Sequence, residues 1–198
     1  SRLMKTKAFI LTALLWTNTA FGSNNQFVDF FNTVRSLTAD FTQATYNAEF
    51  ELTSSMSGNL MFQRPQQLRW HTTSPSEQIL LLNNNELWQV DTELEQAVLQ
   101  KTKDLSKTPL YWLVNKPEDI KHTPKFSHTA GGIDWYLATN PDAQSIEFGF
   151  VNGLLYAITL NDGLGGLISI TFENLLVNPY LNQKTFELTI DPNFDIVK

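Results

Sequence analysis

The chain has 198 residues, with 20 acidic against 14 basic side chains and no cysteine. The absence of cysteine excludes disulfides and a lipid attached through a cysteine. The acidic balance disfavours nucleic acid and anionic lipid surfaces as partners.

Lys5 and Lys7 precede the apolar run from Ala8 to Trp16, and Ala20-Phe21-Gly22 resembles a small-x-small cleavage site. Residues 1–22 therefore read as an N-terminal extension and export signal, the alternative being a buried core helix. The run is too short to span a bilayer. Residues 23–198 form one expected domain, long enough for a substantial core. Without Arg2, Lys5 and Lys7, eleven basic residues face twenty acidic ones, a net charge of −9.

Phe27, Phe30, Phe31 and Val34 recur at helical spacing and predict an amphipathic helix over about 25–36. From Leu37 the period changes to two, predicting a strand to about Tyr46. A loose connection over 47–55 leads into Asn59 to His71, which reads as a hairpin. Pro65 cannot donate to a ladder and stops its first strand. A three-residue loop would set Phe62 opposite Trp70 and Arg64 opposite Leu68, with Leu60 on the same face and Arg69 on the other. That gives an apolar face with one guanidinium at its rim; the plain alternative is an ordinary hairpin with a solvated arginine.

Strands follow over Ile79 to Leu82, Glu86 to Asp91, and about 95–102, with turns at Asn83-Asn84-Asn85 and Asp91-Thr92-Glu93. Thr108 can cap a short helix with Pro109 in its first position. Leu110, Leu113 and Val114 form one stripe of that helix, with Tyr111 and Trp112 beside it. So apolar a short helix must lie on something apolar. A second helical turn is expected near Lys116 to Ile120.

The second half reads as strands. Phe126 to Ala130 and Ile133 to Thr139 flank Gly131-Gly132. Ile146, Phe148 and Phe150 alternate before Asn152-Gly153, the strongest hairpin signal in the chain. Leu154, Tyr156, Ile158 and Leu160 alternate after it, as do Ile168, Ile170 and Phe172, and then Phe186, Leu188 and Ile190. About eleven strands result, in a mainly β fold with helices near the start and middle. One sheet of that size would curl, its inner face covered by the helices. Periodicity leaves open whether the inside is solid core or cavity.

Catalytic signatures are absent. His71, His122 and His128 have no second ligand at metal-binding spacing. No nucleophile elbow, P-loop or dinucleotide fingerprint occurs. The glycine-rich stretch from Asp162 to Gly166 follows a strand and opens no helix, so it reads as a turn. An exported hydrolase is the reading from another class, and no motif supports it.

These residues, taken in order, resemble the LolA family of periplasmic carriers of outer-membrane lipoproteins. The resemblance runs through Phe41-Thr42-Gln43, Gly58-Asn59-Leu60, Arg64-Pro65 and Leu68-Arg69-Trp70. It continues through Pro75, Leu87-Trp88, Asp91 and Leu94-Glu95-Gln96 to Thr108-Pro109 and Leu113. It ends with Asp162, Leu164-Gly165, Phe172, Asn174, Phe186 and Pro192. Arg-Pro-x-x-Leu-x-Trp is the most specific piece; Gly166 departs from the glutamine common in relatives.

The resemblance implies a half-open antiparallel β-barrel with a helical lid over an apolar cavity. Leu60, Phe62, Leu68, Trp70, Phe148, Phe150, Ile158, Ile170 and Phe172 would line the cavity. Leu110 and Leu113 would cover it, and Arg64 would latch the lid shut in the empty protein. The cargo would be the acyl chains of outer-membrane lipoproteins, taken from an inner-membrane ABC transporter and delivered to an outer-membrane receptor. No cofactor, metal or nucleic acid is implied, and the carrier would be a monomer. The alternative within the fold is a periplasmic lipid-binding or lipoprotein-sensing domain of another envelope system.

Overall fold

The computed structural model describes residues 25–100, 105, 108–138, 145–161 and 164–198. The expected export signal, and the turn residues Asp162 and Gly163, lie outside the described residues.

The chain opens with helix α1 (Gln26–Thr33), whose N-cap Asn25 accepts the Val28 N–H. Its apolar face, Phe27, Phe30 and Phe31, is buried. Six strands follow: β1 (Ser36–Tyr46), β2 (Leu52–Gln63), β3 (Gln67–Ser74), β4 (Gln78–Asn83), β5 (Glu86–Asp91) and β6 (Gln96–Leu99). Then come helix α2 (Leu110–Val114), a 3₁₀ turn (Pro117–Asp119), β7 (Lys125–Ala130), β8 (Ile133–Ala138), β9 (Ile146–Val151), β10 (Leu154–Asn161) and β11 (Leu167–Val177). A second 3₁₀ turn (Gln183–Phe186) precedes the short β12 (Asp195–Val197).

The described strands make one twelve-stranded sheet in the order β12-β6-β5-β4-β3-β2-β1-β11-β10-β9-β8-β7. Every neighbour is antiparallel except β12, which runs parallel to β6. The sheet is open, a half-barrel with free edges at β12 and β7. Its hairpins are set by local chemistry. Asn152 and Gly153 both have positive φ, as do Gly131 and Gly132, and each pair forms a tight turn between twisted strands. Gly58 passes so close to the neighbouring strand that a Cβ there would collide with the His71 carbonyl.

The sheet buries both faces unequally. The inner face carries Leu37, Phe41, Leu60, Phe62, Leu68, Phe148, Phe150, Ile158, Ile170 and Phe172, packed against α1 and α2. On the outer face a smaller cluster of Leu81, Trp88, Val90 and Ala97 is covered by Leu188, Ile190 and Phe194.

Four sequence expectations are corrected. The hairpin loop has three residues, but they are 64–66 and not 65–67, so Phe62 pairs with Leu68 and Leu60 with Trp70. Arg64 gives its N–H to Arg35 O and Gln66 gives its own to Val114 O, which takes both residues out of the ladder. The slip is two residues, so each side chain keeps its face. Residues 186–190 form no strand. Asn182 accepts the Lys184 N–H to start a 3₁₀ turn, and the segment then lies flat on the outer face, where no ladder edge is available. Thr108 does not cap α2; its hydroxyl donates back to Leu105 O. The connection expected over 47–55 is a tight turn, with β2 already begun at Leu52.

Candidate functional site

Helix ends leave carbonyls without partners, and a short helix has few residues to share that burden. Helix α2 ends beneath the β2–β3 loop, which meets the need. Arg64 Nη2 donates to Trp112 O at 3.0 Å and Arg64 Nε to Leu113 O at 2.9 Å. Gln66 N–H reaches Val114 O at 2.9 Å, and Asn115 N–H closes on Tyr111 O at 3.3 Å. All four terminal carbonyls of α2 are thereby satisfied. The Gln66 side chain adds a bond to Asn115 Oδ1 at 2.7 Å.

The same guanidinium serves α1. Arg64 Nη1 donates to Phe31 O at 2.6 Å and to Val34 O at 3.2 Å. One cation thus sits at the negative ends of two helices, stacked over the Phe31 ring with its central carbon 4.5 Å from the centroid. Burial pulls its pKa down to about 10, with Glu118 opposing part of that shift. It therefore keeps its proton at neutral pH. Arg64 is no solvated side chain.

Below this junction the interior is filled. Leu60, Phe62, Leu68, Phe148, Phe150 and Ile158 have no solvent exposure; Ile170 and Phe172 are buried, and Trp70 is half-buried. From α2, Leu113 is fully buried and Leu110 packs at the margin. The residues assigned to a cavity are brought together on one face, in contact with the helices. Their centre is an aromatic chain: Trp112 on Phe148 at 5.7 Å, Phe148 on Phe27 at 5.2 Å, Phe27 on Phe31 at 4.5 Å, and Phe30 on Phe150 at 5.7 Å. Side chains of α1 and α2 thus fill the inside of the half-barrel.

Sequence reasoning placed Phe27, Phe30, Phe31 and Trp112 on helices without assigning them to the site. Their signal was present: three phenylalanines on one face of an eight-residue helix exceed what its own stability needs. Tyr136 and Ile146 also belong to the interior. At its far end α1 is held to β8, with Gln26 N–H donating to Tyr136 Oη at 3.1 Å and Gln26 Nε2 to Asp134 Oδ2 at 2.6 Å. The bonds from Thr129 and Gln26 hold the Asp134 carboxyl below its usual pKa.

A second apolar region is a groove of about 470 Å³ on the outer face, between the sheet and the C-terminal segment. Met61, Ile79, Leu81, Val90 and Leu188 line it, but Arg69, Lys184 and Glu187 also open onto it. Among the described residues no group of three or more His, Asp or Glu could hold a metal ion. No helix there is long and apolar enough to cross a membrane.

Residues 32–189 match the family model described as outer membrane lipoprotein carrier protein LolA. The chain is 28% identical over 173 residues to an outer-membrane lipoprotein carrier protein of Pseudomonas paraeruginosa, covering 84% of this chain and 83% of that one. It is 29% identical over 182 residues to the carrier protein of Dechloromonas aromatica, covering 89% and 88%. With the Legionella pneumophila protein of that name it shares 26% over 200 residues, covering 97% and 98%. Among solved structures, a LolA superfamily protein from Nitrosomonas europaea superposes with a TM-score of 0.50 at 12% identity, covering 82% of this chain and 96% of that one. An uncharacterised conserved protein from Thermus thermophilus superposes at 0.58 with 8% identity, covering 87% and 96%. Both superpositions show the fold alone.

Proposed function

The chain belongs to the LolA family of outer membrane lipoprotein carrier proteins, and on that premise we propose that it works in the periplasm, loading lipoproteins at an inner-membrane ABC transporter and handing them to an outer-membrane receptor. Members of this family are carriers and not enzymes. Residues 1–22 act as the export signal, and residues 23–198 as the single carrier domain. The observation that carries the reading is the Arg64 junction, where one side chain binds the ends of both helices that close an apolar interior.

A carrier must bind tightly yet release. A sixteen-carbon acyl chain gains about 0.8 kcal/mol per CH₂ leaving water, or about 12 kcal/mol. To admit it, the lid must withdraw Phe27, Phe30, Phe31, Trp112 and Leu113, at about 2 kcal/mol each, or about 10 kcal/mol. The two terms nearly cancel, so an apolar-for-apolar exchange is reversible. The Arg64 bonds then decide which side of balance the empty protein occupies. Arg64 acts as the latch, Leu110 and Leu113 with α1 as the lid, and Leu60, Phe62, Leu68, Trp70, Phe148, Phe150, Ile158, Ile170 and Phe172 as the wall against which acyl chains lie.

Native mass spectrometry of the protein purified from the periplasm tests this. The reading expects a one-to-one complex with an acylated lipoprotein whose occupancy rises when Arg64 is replaced by Leu. Protein that stays unliganded beside abundant lipoprotein, with and without the latch, would overturn it.

A further inference from the structure

The half-barrel has two ends, and they differ. At the end away from Arg64 lie the β1–β2, β3–β4, β5–β6 and β10–β11 turns. Two of these turns touch: a Cβ on Gly165 would lie 3.1 Å from the Ala48 Cβ. Around that contact Phe50 is 74% exposed, Leu52 60% and Leu164 86%. Three large apolar side chains in water at one tip form a patch that folding does not require.

The Phe50 ring is presented and not merely left over. Its φ of 60° lies in the left-handed region, where a bulky side chain rarely sits. The turn is braced to keep it there. Asn47 O accepts the Phe50 N–H at 3.0 Å, and Asn47 Oδ1 accepts those of Glu49 and Glu51 at 3.0 and 2.9 Å. These bonds fix the backbone of the turn and with it the direction in which the Phe50 Cα–Cβ bond leaves it. Beside the patch the charge is negative: Glu49 and Glu51 flank Phe50. Farther along the same end Glu93 and Glu95 sit in the β5–β6 turn, and none of the four turns contains Lys or Arg.

We infer that this tip is a docking surface for a protein partner that offers an apolar pocket ringed by basic side chains, with Phe50 as the anchor. The inference rests on the carrier reading, whose hand-off proteins are the partners it describes. An exposed aromatic inserted into a pocket is the kind of contact that dominates interface energy, and the two carboxylates beside it, with those farther along this end, steer association with a basic face. A bare lipid surface is the weaker fit, because these carboxylates repel anionic headgroups.

The test uses the full mature protein in two reconstituted hand-offs, from transporter proteoliposomes supplied with lipoprotein and ATP, and then to the receptor. Phe50→Asn removes the ring and suits the left-handed backbone. It should raise thermal stability and leave the binding of a fluorescent fatty acid unchanged. In at least one hand-off it should raise the half-saturating carrier concentration about tenfold. Glu49→Lys should raise it in the same hand-off, with a weaker dependence on salt. If both variants match wild type in both hand-offs, the docking surface is wrong while the carrier reading stands. If wild type takes up no lipoprotein, the carrier reading itself fails. Phe50-dependent binding to protein-free phosphatidylcholine vesicles, or Phe50-dependent dimerisation, would overturn the protein partner in favour of lipid or a second copy.

Discussion

Replacing Arg64 by Leu removes hydrogen bonds to Phe31, Val34, Trp112 and Leu113 oxygens at one stroke. Bonds from a charged donor contribute about 1.5–3 kcal/mol each when taken singly. They do not add, and relief of guanidinium desolvation, several kcal/mol, works in the other direction. With Leu burying apolar surface at the same site, the net loss to the closed form is about 2 kcal/mol. That shifts the open-to-closed ratio about thirtyfold. Backbone amides of 110–114 in the empty variant should then exchange hydrogen faster by up to that factor. A fluorescent fatty acid should bind correspondingly tighter, because a larger fraction is competent to bind. Lipoprotein should load normally and leave for the receptor slowly. Arg64→Lys should fall between, since a compact ammonium cannot span the ends of two helices as the planar fork does. Exchange rates and probe affinity equal to wild type in Arg64→Leu would refute the latch.

Phe148→Ala, which opens space where three aromatic rings meet, should cost about 3–5 kcal/mol in urea denaturation; a loss below about 1 kcal/mol would mean that the interior is loosely packed. Gly58→Ala forces a methyl into the His71 carbonyl and should disrupt the β2–β3 pairing, seen as loss of native NMR dispersion, whereas a wild-type spectrum would contradict the close approach. Asp134 has its pKa depressed in the folded state, so its stabilisation is present above the ordinary carboxylate value of about 3.9 and fades as pH falls through the lowered one. The stability gap between wild type and Asp134→Asn should therefore be open at pH 7 and shrink as pH falls below about 3.9, and a gap that stays constant on acidification would contradict the assignment.

Most faces of the sheet were legible in the sequence because strand periodicity is two and survives register errors of two; β10 is the exception, where a bulge at Tyr156 leaves Leu154 and Tyr156 exposed and buries Leu155 and Ala157. Phe62, Leu68 and Trp70 keep a common side although their pairing slips by two positions. The Arg64 loop was misplaced because its N–H groups are claimed by Arg35 and Val114, contacts that no local pattern encodes. The segment carrying Leu188 and Ile190 alternates like a strand, yet covers the outer face of the sheet; alternation records a buried side and not a ladder. Whether the interior was solid or hollow was also hidden. It depends on α1 and Trp112 lying over Phe148 and Phe150, a matter of tertiary packing.

On the proposed mechanism, acyl chains replace the lid's aromatic side chains inside the half-barrel. A lipoprotein whose acyl chains carry a photoactivatable group, loaded onto the protein and irradiated, distinguishes where those chains lie. Mass spectrometry should find the adducts on Phe62, Phe148, Ile158 and Trp112. Adducts confined to Met61, Leu81, Val90 and Leu188, the groove on the outer face, would contradict it.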